Sequence, residues 1–176
     1  KTLDEQITSA GAKSNVYSGI ELATITASFA EVKTKIDARL SELEAEKKVQ
    51  ESNAQLLKEY SDNSAEYQKW VAETNQNLSK ELEGTLEQQL ETLKQLAPQA
   101  IADSDEKYKA LAALYDKLET ADVAELANVT ITELHTLNEQ VKTTANKRIQ
   151  TVEEQIIAAK LSDVTEDQLK EWSSTF

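Results

Sequence analysis

The chain contains no cysteine. Disulfides, thiolate nucleophiles and cysteine-built metal sites are therefore excluded, and the composition fits a reducing compartment. Methionine is absent too and the sequence begins at Lys1, which points to a piece of a longer polypeptide. With 3 glycines and 1 proline in 176 residues, turn formers are too scarce for a sheet protein, and an all-α fold is expected. Apolar runs are short: nothing approaches the roughly 20 residues of a membrane-spanning helix. The opening KTLDEQ also lacks the apolar stretch of a signal peptide, so a soluble intracellular protein is expected. Basic residues are the minority, 19 Lys plus Arg against 32 Asp plus Glu. A net charge of −13 offers little to a polyphosphate backbone or an anionic bilayer. Neither nucleic acid nor a membrane is an expected partner.

What the sequence does have is helical periodicity with repeated cap signals. A short helix is expected from Leu3 to Lys13, stopped by GAKSN. Ser18 and Glu21 have capping-box spacing, in which hydroxyl and carboxylate satisfy the free backbone donors of a helix start. From Gly19 no proline or glycine occurs until Gly84, which predicts one helix of about 60 residues, near 90 Å long at 1.5 Å per residue, ended by Gly84. Thr85 with Gln88 opens a further helix that contains Pro98, where a kink near Leu96 or a short break is expected. TADVAELANV reads as a loop, Thr130 with Glu133 caps another helix, and Thr165 with Gln168 caps a last short one through Trp172.

Three helices from about Ala54 to Lys160, up-down-up with short turns, make an elongated antiparallel bundle, left-handed because its apolar spacings lie near 3.5. Its expected core includes Trp70, Leu90, Leu93, Tyr108, Leu111, Leu137, Val141 and Val152. One apolar row is left over upstream: Leu22, Ile25, Phe29, Val32, Ile36, Leu40 and Leu43, each three or four residues after the last. An amphipathic helix is stabilised mainly by burying its stripe, and the opening helix with Leu3, Ile7 and Ala10 can cover only a small part of this one. Seven such side chains left wet would forfeit on the order of 10 kcal/mol, so a second copy is expected to close the row by a symmetric contact, the alternative being cover by the opening helix together with upstream sequence outside this segment.

Several stretches resemble the spectrin-repeat family, in which the third helix of one unit runs unbroken into the first of the next. EYQKWVAETNQNL, from Glu66, resembles a first helix with its inward tryptophan, Trp70; EGTLEQQLETLKQ, from Glu83, is similar to the turn into a second. VTITELHTLNEQVKTTANKRIQTVEEQI, from Val129, resembles a third helix, and FAEVKTKIDARLSELEAEKK, from Phe29, resembles the third helix of a preceding repeat. TEDQLKEWSSTF, from Thr165, looks like the lead into the helix pair that ends an α-actinin. The resemblance, to a short-rod α-actinin, implies residues 1–53 as a partial preceding repeat, 54–160 as a complete one sharing the long helix, and 161–176 as the lead-in to a further module. It implies an antiparallel homodimer in the cytoplasm and cytoskeleton, a rod that spaces actin-binding modules lying outside this segment so that filaments are cross-linked.

Residue by residue, little suggests chemistry. His135 has no second ligand at metal spacing, and DSDEKYKALAAL from Asp103 lacks the central Gly and final Glu of a calcium loop. Thr85, Thr130 and Thr165 are caps before they are modification sites. No catalytic constellation, metal or cofactor is expected. The rival to the rod is an adaptor whose acidic helical surface docks a partner protein.

Overall fold

The computed structural model describes residues 2–11, 21–162 and 173. Among the described residues four helices run in chain order: α1 (Leu3–Ser9), α2 (Leu22–Ser79), α3 (Leu86–Thr120) and α4 (Ile131–Ser162), with a 3₁₀ turn at Ala124–Leu126 before α4. No strand occurs among the described residues, and the fold is all-α. The Ser18 cap, the Thr165 cap and the helix through Trp172 lie outside the described residues. The chain divides into two compact units, Lys1–Glu51 and Ser52–Phe176.

In the first unit, Thr2 caps α1 by a box that the sequence reading passed over. The Glu5 amide donates to Thr2 Oγ1, and the Thr2 amide donates to Glu5 Oε2 at 3.0 Å. α1 closes at Ser9, earlier than the expected Lys13. The part of α2 in this unit has every side chain exposed. Ion pairs between neighbouring turns, Glu31 with Lys35 at 2.6 Å and Arg39 with Glu42 at 3.0 Å, decorate it at high exposure, where each adds only a few tenths of a kcal/mol.

The second unit holds the core. α2 from Ser52 onward, α3 and α4 pack side by side, and their contacts fix the directions. Tyr60 Oη donates to the Val129 carbonyl at 3.0 Å, Asn128 Nδ2 to Ser61 Oγ at 3.1 Å, and Arg148 Nη2 to the Lys80 carbonyl at 3.4 Å. These pairs are separated by 69, 67 and 68 residues, a constant offset that only parallel helices give. Between them α3 runs the other way, since Tyr67 meets Ser104 while Leu78, nearer the end of α2, packs with Ala97, nearer the start of α3.

Buried positions step by three, four or seven residues: Tyr60, Ser64, Tyr67, Val71 and Leu78 on α2; Leu93, Ala97, Ser104, Leu111 and Leu118 on α3; Leu134, Asn138, Val141, Ala145, Val152 and Ile156 on α4. That alternation keeps one seam of each helix facing its neighbours. Of the expected core, Leu93, Leu111, Val141 and Val152 are buried, whereas Trp70, Leu90, Tyr108 and Leu137 are half-buried at its margin. Trp70 follows Tyr67 by three and precedes Val71 by one, just off the seam. Its ring lies near-parallel to Tyr67 at 6.1 Å, with Lys107 Nζ 5.6 Å from its centroid.

Of the kink or short break expected at Pro98 the break does not occur, and the expected end of α2 moves. Pro98 sits inside an unbroken α3: its missing donor interrupts one hydrogen bond, and the exposed ring projects outward. α2 ends at Ser79, five residues before Gly84. Gly84 instead serves the start of α3. Its φ of +97° suits glycine, and a Cβ there would stand 2.5 Å from Gln88 Oε1, the atom that accepts the Thr85 amide in the capping box of α3. The Thr130 box forms as well, with the Thr130 amide 2.7 Å from Glu133 Oε2; those bonds hold the Glu133 carboxyl below its ordinary range.

Candidate functional site

The leftover row lies on the first unit's part of α2. Leu22, Ile25, Phe29, Val32, Ile36, Leu40 and Leu43 are between 45% and 72% exposed. The opening helix gives no cover, because Leu3 and Ile7 are themselves 74% and 47% exposed. Leu22, Phe29, Ile36 and Leu43 recur every seventh residue, and the same count passes the exposed Gln50 before it reaches Leu57, Ser64, Val71 and Leu78 on the seam of the second unit. One heptad phase thus runs the length of α2, buried at one end and open at the other. Among the described residues of the first unit, nothing covers this row.

The second unit carries a groove of about 250 Å³ between α2 and α3, lined by Asn63, Glu66, Tyr67, Trp70, Lys107, Ala110, Leu111 and Leu114. Trp70, half-buried just off the seam, is one of its lining side chains.

Between the three helices a chain of polar contacts crosses the core. Tyr67 Oη lies 2.9 Å from Ser104 Oγ, Ser104 Oγ donates to Asn138 Oδ1 at 2.6 Å, and Asn138 Nδ2 donates to Asp105 Oδ1 at 2.7 Å. Lys142 Nζ closes the chain at the surface, 2.8 Å from Asp105 Oδ1 and 3.0 Å from Glu139 Oε1. Its polarity is determined. An ionised Asp105 accepts only, so the Asn138 amide must present its N–H₂ to Asp105 and its oxygen to Ser104. Ser104 thereby uses its one proton, and Tyr67 must donate. The hydrogen bonds from Lys142 and then Asn138 hold the Asp105 carboxyl below its ordinary range, and Asp105 followed by Glu139 raises Lys142. Burial raises the phenols of Tyr67 and Tyr60, with smaller opposing effects of Ser104 and Ser64.

None of these groups forms a reactive pair. His135 lies exposed on α4 against the Tyr108 ring at 5.6 Å, and among the described residues no three potential metal ligands converge. Residues 103–114 are interior to α3, not a loop. No helix of the described residues is long and apolar enough to cross a membrane. Compared with models of known protein families, the chain matches none.

Sequence periodicity found the row and much of the seam. It passed over Ser64, Ser104 and Asn138, which occupy seam positions as polar residues. The available signal was positional: Ser104 lies seven before Leu111, and Asn138 seven before Ala145.

Proposed function

We propose that the chain is a structural rod: it pairs antiparallel with a second copy through the α2 row and holds modules outside this segment at a set distance. The observation that carries the reading is the row itself, seven large apolar side chains open to water in the first unit of a chain whose second unit encloses its own core. Left wet, such a row costs on the order of 10 kcal/mol per chain, and two copies remove the cost together. The resemblance to α-actinin rods of the spectrin-repeat family supplies the rest of the proposal: a left-handed repeat, a cytoskeletal setting and cross-linked actin filaments, the actin contact being made by the outlying modules. The test is the mass in solution by light scattering. Phe29→Asp with Ile36→Asp should turn a dimer into a folded monomer, and a dimer of unchanged mass would remove the row as its interface.

A second reading is favoured by the chain's net charge of −13 together with the Trp70 groove, whose aromatic and apolar lining between Glu66 and Lys107 would seat the apolar side of a basic partner helix. An adaptor of this kind would bind a Lys-rich amphipathic peptide with salt-sensitive affinity and lose it on Trp70→Ala. Equal binding by that variant would dismiss the groove.

A further inference from the structure

The groove beside Trp70 is longer than one pocket, and its two halves specify the helix that fits them, an inference that rests on the adaptor reading above. Both halves lie between α2 and α3. The Trp70 pocket, about 250 Å³, is lined by residues 63–70 of α2 and 107–114 of α3. The other, about 150 Å³, is lined by residues 74–78 of α2 and 93–100 of α3, and four leucines, Leu78, Leu82, Leu93 and Leu96, are among its walls. Drug-sized ligands fill roughly 300–1,000 Å³, so each pocket suits one large side chain in place of a free small molecule. Leu96 is half exposed and leaves apolar surface for an incoming group.

The midpoints of the two pockets stand ~14 Å apart counted along α2 and ~21 Å apart counted along α3, at about 1.5 Å per residue. A helix lying in the groove must present two large apolar side chains on one face at that separation. Spacings of about seven and eighteen residues reach ~10 and ~27 Å and miss it, whereas about eleven residues, three turns, reach ~16 Å. Charge supplies the flank. Glu66 lines the groove, and Glu59 and Glu73, one heptad to either side of it, share its edge of α2 and are exposed. Glu73 meets Lys69 at 3.9 Å with both side chains open to water, a loose pair that a partner's cation can displace. On the facing wall Lys107, 5.6 Å from the Trp70 ring centroid, is outnumbered by these three carboxylates. We propose that the α2–α3 groove docks one amphipathic helix of a partner protein, with two large apolar anchors eleven residues apart and Lys or Arg at seven-residue spacing on the flank toward α2. The anchors fill the two pockets, and the basic flank lies along Glu59, Glu66 and Glu73 as flanking charges do in a coiled coil.

The probe is a fluorescein-labelled helical peptide of about 20 residues, with two Leu eleven positions apart, Lys at every seventh position on one flank, and Ala and Gln elsewhere. Its binding to the full chain is followed by fluorescence anisotropy at low and at moderate salt. The peptide should bind roughly tenfold tighter, or more, than versions with either Leu replaced by Ala, or with the two Leu about nine apart and so on opposite faces. Leu96→Asp, at a half-exposed position, should remove the advantage of the second Leu. Glu59→Gln, Glu66→Gln and Glu73→Gln together should weaken binding and flatten its salt dependence. Helical circular dichroism checks the fold of each variant, and the peptide series on the unmodified chain needs no variant at all. One-Leu and two-Leu peptides that bind equally, while Trp70→Ala abolishes both, overturn the paired anchors and spare the adaptor. Tight binding of the nine-apart peptide, or a salt dependence unchanged in the Gln variant, overturns the paired anchors or the basic flank in the same way. Binding that is lost as the chain is concentrated places a second copy in the groove and overturns the partner helix. No binding of any peptide at high micromolar chain overturns this inference and the adaptor reading together.

Discussion

Ser104 on α3 donates a 2.6 Å hydrogen bond to Asn138 on α4 in the middle of the bundle, where neither residue is more than 2% exposed. A polar contact this deep lets the helices settle in one axial alignment only, because a slide of one turn would strand both groups without partners. Removing one member should therefore cost more than the bond itself contributes. Asn138→Ala, which orphans Ser104 and uncouples Asp105, is expected to lower stability by about 1–3 kcal/mol, read as a shift of the urea midpoint at constant slope. Replacing Tyr67, Ser104 and Asn138 together by Phe, Ala and Leu should recover most of the loss, since no buried group is then left unpaired. An Asn138→Ala chain as stable as the parent would show the network to be decoration.

That network also marks how far the sequence could be read. The four helices that fall on described residues, the long α2 among them, were legible because apolar spacing and scarce glycine act locally, and the Thr85 and Thr130 boxes announced two starts. The end of α2 was not. Gly84 suggests a stop, yet its geometry belongs to the Gln88 side chain of the following helix, a contact that no spacing rule contains. Trp70 illustrates the same limit: hydrophobicity favours the core, but a single-residue offset from the Tyr67–Val71 seam leaves it half-buried. Ser104 and Asn138 read as polar surface until three helices are brought together around them.

Alkaline pH should weaken the bundle through Tyr60 and Tyr67. Burial raises both phenols above their ordinary value of 10.0, so the folded chain holds these protons more tightly than the unfolded one. Their contribution is complete below pH 10.0 and is lost as pH climbs through the raised values. Tyrosinate absorbance during an alkaline titration is expected to show a late fraction that rises together with loss of helical circular dichroism. Tyr67→Phe should reduce that late fraction and flatten the fall of stability. A late fraction unchanged in the Phe variant would contradict the assignment.

Acid acts through Asp105 with the opposite sign. Its carboxyl is held below the ordinary 3.8 by Lys142 and Asn138, so the unfolded chain takes up the proton first as pH falls. The stabilisation is present above pH 3.8 and disappears as pH drops through the lowered value. Asp105 is partly exposed, so the effect is modest. Urea midpoints at about pH 3 and about pH 6 should differ less for Asp105→Ala than for the parent chain. An identical difference in both would place the acid sensitivity elsewhere, with Glu133 at the α4 cap the next carboxyl to replace.

A chain starting at Ser52 separates the two roles assigned to α2. Everything it deletes lies in the first unit, whose described side chains are all exposed, and everything it keeps includes the buried seam from Tyr60 to Ile156. Folding energy follows buried apolar area, so the deletion should leave the unfolding free energy of the bundle within roughly 0.5 kcal/mol of the parent's when both are measured dilute. Self-association should vanish with the row, leaving a particle of single mass at concentrations where the parent pairs. Because the parent gains stability from pairing, its midpoint should rise with protein concentration while that of the shortened chain stays fixed. A shortened chain that still pairs, with a midpoint that climbs with concentration, would move the contact from Leu22–Leu43 onto the bundle itself.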